Sequence, residues 1–132
     1  MGFKETKVKN GKIIINQGKV EHKMYIITKG KVDITLKADN KEVKVATLEK
    51  EDFFGEISLY NDIPRSATAR ASGDVMLIMI KNKEELSAFL KVNPEYSIKM
   101  VQALGGRLAR TNELLVSKVK EEAHKELSGF MW

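Results

Sequence analysis

Phe53–Ala71 reads FFGEISLYNDIPRSATARA, and the fold of the whole chain is read outward from it. Gly55 lets the main chain approach a ligand closely. Glu56 is an acceptor-only carboxylate heading the short apolar segment Ile57-Ser58-Leu59. Arg65 is a permanently charged planar fork, followed at once by the small residues Ser66, Ala67 and Thr68. A carboxylate accepts the protons of sugar hydroxyls, and a guanidinium matches phosphate oxygens two at a time. These are the groups that a small anionic sugar phosphate requires. A Glu and an Arg nine positions apart would, alone, be ordinary surface residues or partners of one another.

Short strands flank this stretch. Downstream, Ser66 to Ala71 is strand-like and Val75 to Ile80 is a fully apolar strand. Upstream, Lys12 to Ile15 is closed by Asn16-Gln17-Gly18, and Met24 to Thr28 is rich in β-branched and aromatic residues. Lys29-Gly30-Lys31 reads as a tight reversal with Gly30 at positive φ. Val32, Ile34 and Leu36 then alternate with polar residues in a half-buried strand. Asp39-Asn40 turns that strand back into Lys41 to Leu48. So many short strands with Gly and Asx turns imply a sandwich, barrel or jelly roll over about residues 10–81.

The pattern changes at Asn82. Asn82 with Glu85 three residues on is a capping-box-like start for a short helix carrying Leu86, Phe89 and Leu90. Asn93-Pro94 begins a second, longer one, with proline at the first helical position; the helices together span about residues 83–127. Val101, Leu104, Leu108, Leu115 and Val119 keep a 3–4 spacing along it, broadened by Leu114 and Val116. Gly105-Gly106 interrupts the run, as a local kink or close packing or else as a hinge.

Composition bounds the alternatives. A chain of 132 residues with 42% hydrophobic residues holds one domain around a single core. Its net charge of +5 comes from lysines interspersed with glutamates, which reads as a solvated surface that still favours an anionic ligand. Cysteine is absent and His22 and His124 stand far apart, so no metal site is expected. No run approaches the roughly 18 apolar residues of a membrane span, and the charged start MGFKETKVKN has no signal-peptide core. The cytoplasm is the expected compartment. No nucleophile–base pair or acid–base carboxylate pair stands out, so no catalytic residue and no enzyme activity are expected.

The opening stretch closely resembles the phosphate-binding cassette of cyclic nucleotide-binding domains, which runs Phe-Gly-Glu-Leu/Ile-Ala/Ser-Leu, a spacer, then Pro-Arg-Ser/Thr/Ala-Ala-Thr/Ser. Phe54, Gly55, Glu56, Ile57, Ser58, Leu59, Pro64, Arg65, Ser66, Ala67 and Thr68 all keep that register. Gly11 to Gly18 looks like the family's opening strand and turn, and Met24 to Ile27 with Gly30-Lys31-Val32 looks like its first hairpin. The resemblance implies a β jelly roll followed by a short and a long C-terminal helix, a single domain over residues 1–132. It also implies that the ligand is a 3′,5′-cyclic nucleotide.

In that reading Arg65 pairs with the cyclic phosphate. The start of the helix after Gly55, Ser66 Oγ and the Ala67 N–H complete an anion nest, and Glu56 accepts the ribose 2′-hydroxyl. The resemblance places Thr111 and Asn112 where related regulators contact the base; a threonine tolerated at a seam edge is the alternative. Ser66 fits either nucleotide, with cyclic AMP slightly favoured over cyclic GMP.

The implied role is a regulatory sensor whose C-terminal helix rearranges on ligand capture. A homodimer through Val101, Leu104, Leu108, Leu115 and Val119 is expected. Direct DNA binding is not, because a helix-turn-helix would add roughly 60–80 residues. The rival reading is a degenerate jelly-roll scaffold for protein–protein interaction that binds no nucleotide.

Overall fold

The computed structural model describes the backbone of residues 3–131 and the side chains of residues 3–123. Its elements are β1 (Glu5–Val8), β2 (Ile13–Ile15), β3 (Met24–Ala38), β4 (Lys41–Leu48), β5 (Phe53–Phe54), α1 (Glu56–Tyr60), β6 (Thr68–Ile80), α2 (Lys83–Val92) and α3 (Glu95–Met131). The chain divides into two compact units between Ser97 and Ile98.

In the first unit every strand pairing is antiparallel. The path runs β1-β6-β3-β4, with β2 on β6 and β5 on β3. The architecture is thus mainly β with C-terminal helices, in keeping with the jelly roll implied by the sequence.

β3 and β6 carry most of it, pairing from Met24 opposite Ile80 to Thr35 opposite Thr68. The expected reversal at Lys29-Gly30-Lys31 does not form. β3 runs through it, and the ladder slips in register between Ile27 and Lys29 and again between Lys29 and Lys31. Gly30 does take a positive φ, 91°, but uses it for a bulge. A Cβ there would stand 2.5 Å from the Asp74 carbonyl oxygen and 3.1 Å from Val75 Cα. The bulge bends the strand without releasing it from β6.

The segments 66–71 and 75–80, read as two strands, are likewise one, β6. β1 lies ahead of the expected roll. The Asp39-Asn40 turn forms as read, with φ of 50° and 64°, the two left-handed residues of a type I′ hairpin.

These bends let both halves of each long strand face one core. Ile27 and Val32 from β3 pack with Ala69, Ala71, Val75 and Leu77 from β6, joined by Ile15 and Phe54. Ile26 is as fully buried as its neighbour Ile27, so β3 is covered on both faces here. On the second face Met24 and Ile26 lie opposite Ile80 and Ile78. Burying each such aliphatic side chain contributes about 1.5–3 kcal/mol.

Asn82 caps α2 as its sequence implied. Its side-chain oxygen accepts from Glu85 N at 2.8 Å, while the Glu85 carboxylate accepts from Lys81 N at 2.8 Å. α2 ends where the Asn93 N–H and side-chain amide both donate to Phe89 O. The Phe89 ring is buried, 5.1 Å from Tyr96 and 5.3 Å from Phe3. α3 begins at Glu95, one residue after Pro94, so the proline precedes the helix.

α3 runs unbroken through Gly105-Gly106, where an added Cβ would meet no atom within 4 Å. Val101, Leu104, Leu108, Leu115 and Val119 are exposed, by 43% at Leu104 to 70% at Val101. Among the described residues, no helix is long and apolar enough to cross a membrane. No group of three metal-ligating side chains forms among them either; the His124 side chain lies outside them.

Candidate functional site

The site grows from a sharp corner between β5 and α1. Phe54 is buried and stacks on Tyr25 of β3, with ring centroids 5.3 Å apart. Gly55 then turns the chain at φ 86° and serves as the N-cap of α1. The turn is sealed by Arg65. A Cβ on Gly55 would lie 2.8 Å from Arg65 Nη1 and 2.9 Å from the Lys23 carbonyl oxygen. The corner is glycine because the guanidinium lies against its main chain.

Arg65 is buried, with 4% of its surface exposed. Its Nη1 donates to Gly55 O at 3.1 Å and its Nη2 to Lys23 O at 2.5 Å. Its Nε is buried with no hydrogen-bond partner. Its backbone is held as well, since Arg65 N donates to Lys19 O and Gly18 N donates to Arg65 O, both at 2.8 Å. One residue thus zips the loop after α1 to the loop between β2 and β3. Two further contacts extend the zip: Gln17 N donates to Thr68 Oγ1 at 3.1 Å, and His22 Nε2 pairs with Asp62 Oδ1.

Burial lowers the guanidinium pKa from its ordinary value, while Glu21, Tyr25 and Glu56 act in the opposite sense. Burial likewise raises the Tyr25 hydroxyl, with Glu21 adding to the rise and Arg65 opposing it. An arginine stays charged under such a shift. The result is a desolvated cation with neutral carbonyl partners and an unpartnered Nε–H, a strong attractor for a small anion.

The residues read from the sequence fall as follows. Phe54, Gly55, Glu56, Ile57, Ser58, Arg65, Ser66 and Ala67 all belong to the first unit, along the corner and the loop that returns to β6. Ser58 is buried and Glu56 half-buried, whereas Ile57 and Ser66 are exposed and Ala67 is half-buried. Thr111 and Asn112 are exposed residues of α3 in the second unit. The Thr111 hydroxyl donates to Arg107 O at 3.0 Å, a back-bond along its own helix.

Sequence reasoning missed the far wall: Gly18, Lys19, Glu21, Lys23 and Tyr25. Lys19 and Lys23 act through carbonyl oxygens, which leave no trace in residue type. Glu21 and Tyr25 carry side-chain chemistry, but only the fold brings them beside Arg65.

The fold recurs in known proteins. The catabolite activator protein of Thermus thermophilus superposes with a TM-score of 0.71 at 28% identity, over 89% of this chain and 55% of that one. A CRP-like cAMP-activated global transcriptional regulator of Mycobacterium tuberculosis is 29% identical over 83% of this chain. The Drosophila melanogaster cAMP-dependent protein kinase type II regulatory subunit is 39% identical over 51% of it. The chain spans 49% of the mycobacterial regulator and 18% of the kinase subunit. The sequence profile of the cyclic nucleotide-binding domain matches residues 5–93, well over half of the chain and the whole of the corner around Arg65. The chain belongs to the cyclic nucleotide-binding domain family.

Proposed function

We propose that this domain binds a 3′,5′-cyclic nucleotide, cyclic AMP ahead of cyclic GMP, and acts as a regulatory sensor rather than an enzyme. The observation that carries the reading is the Arg65 guanidinium, buried against Gly55 with its Nε unpartnered. A cyclic phosphate supplies the missing acceptor together with the counter-charge. Ser66 Oγ and the Ala67 N–H complete the phosphate contacts, and Glu56 takes the ribose 2′-hydroxyl. Phe54, Gly55, Ile57 and Ser58 shape the turn that presents them. Thr111 and Asn112 reach the base when α3 rearranges on capture.

The preference for cyclic AMP follows the mycobacterial and fly relatives, both named for it. The proposal assigns the chain no DNA contact and no membrane contact. A homodimer through α3 belongs to it.

Thermal unfolding against a panel of cyclic AMP, cyclic GMP and cyclic dinucleotides tests the reading. A ligand at 100 times its Kd adds about 2.7 kcal/mol to stability. Charge-assisted hydrogen bonds contribute about 1.5–3 kcal/mol each. Arg65→Ala is therefore expected to weaken cyclic AMP binding by roughly one to two orders of magnitude in calorimetric titration. An unshifted melting temperature with every nucleotide would favour the scaffold reading.

A further inference from the structure

We propose that the His22–Asp62 pair is a clasp that holds the loop after α1 against the loop between β2 and β3, and so sets how long a bound nucleotide stays. The inference rests on the phosphate role proposed for Arg65. Between buried Leu59 and buried Arg65 the chain crosses five exposed residues, 60–64. Their α1 end is tied to α2, where Lys83 Nζ stands 5.3 Å from the centre of the Tyr60 ring. Their far end is Arg65 itself. Midway, His22 Nε2 meets Asp62 Oδ1 at 2.5 Å and ties the segment to the neighbouring loop.

This contact is the outer rung of an ordered set. Gln17 N donates to Thr68 Oγ1, Gly18 N to Arg65 O and Arg65 N to Lys19 O, and His22 then meets Asp62. Residue numbers rise along one loop as they fall along the other, so the two loops run antiparallel and the clasp lies at one end of the set. The rungs at Gly18 and Lys19 are main-chain bonds. The clasp is made by two side chains, exposed by 53% and 88%.

The clasp also bears on both walls of the guanidinium. Lys23, whose carbonyl accepts Arg65 Nη2, directly follows His22, and Asp62 precedes Arg65 by three residues. With the clasp made, both loops keep Arg65 in its buried position. With it broken, the closed population falls, and apparent affinity falls in proportion. A pair this exposed adds little to global stability. Its effect is therefore local: a loop that opens more often releases its ligand sooner.

The experiment measures stopped-flow release of a fluorescent cyclic AMP analogue from the full chain, alongside amide hydrogen exchange of the unliganded protein. His22→Ala and Asp62→Ala are each expected to speed release about 2–5-fold, with association changed less than about 2-fold. Exchange at the Gly18 and Arg65 amides is expected to speed in both variants, while the melting temperature stays at the parent's. The double alanine variant should match either single one, because all three remove the same contact. Exchanging the partners, as His22→Asp with Asp62→His, is expected to restore slow release.

Parent-like release in both single variants, with the parent binding normally, overturns the clasp and leaves the nucleotide reading intact. An exchanged pair that releases no more slowly than the single variants also overturns it, because lost packing rather than the lost pair would then be responsible. So does a melting temperature that falls with each single variant, since the effect would then be global. A parent that binds no cyclic nucleotide removes the phosphate role of Arg65 and this inference with it.

Discussion

At Gly55 two demands fall on one missing atom. The backbone there is left-handed at φ 86°, and the space where a Cβ would sit is taken by Arg65 Nη1 and the Lys23 carbonyl. Gly55→Ala is therefore expected to destabilise the domain by about 1–3 kcal/mol. It should also displace Arg65, so chemical denaturation and cyclic AMP titration are expected to worsen together. A variant as stable as the parent would show that the corner relaxes easily. Half of this site was legible in the sequence and half was not. Glu56, Arg65 and Ser66 announce themselves because charge and hydroxyl chemistry are properties of residue type. The carbonyl of Lys23 is a property of the fold, brought to Arg65 across 42 residues of chain.

Elements show the same division. The Asp39-Asn40 hairpin and the Asn82 cap were readable because each is a local device with its own residue preference. Gly30 misled because positive φ serves a reversal and a bulge equally well, and only pairing with β6 decides between them. β1 (ETKV) went unread because four largely exposed residues carry little alternation. In α3 the glycine pair makes a testable case. Gly105 and Gly106 lie within an unbroken helix with open space where their Cβ atoms would be. Each substitution Gly105→Ala and Gly106→Ala is expected to stabilise the helix by about 1 kcal/mol. Circular dichroism melts check the gain. If the pair serves as the hinge of ligand capture, the stabilised variants will bind cyclic AMP with a smaller change in α3, measured by hydrogen exchange along residues 98–123. An unaltered exchange response assigns the glycines no part in the rearrangement.

For the molecule as a whole the open question is what meets the apolar row of α3. Val101, Leu104, Leu108, Leu115 and Val119 are exposed at 3–4 spacing, with Leu114 and Val116 beside them. Full burial of one such side chain contributes about 1.5–3 kcal/mol. Two copies of the row, buried against each other as a parallel pair, can offset an association cost of about 4–15 kcal/mol. The expected state is thus a dimer whose population rises with protein concentration. Charges at the centre of the row should abolish it: Leu108→Glu with Leu115→Glu places like charges on both helices of the pair, where they are neither solvated nor matched. Sedimentation equilibrium is expected to give twice the chain mass for the parent and one chain mass for the double variant. Both proteins should keep the strand signature of β3 and β6, since none of the substituted positions lies in the first unit. A parent that sediments as one chain at every concentration would remove the dimer and leave the row to a different partner.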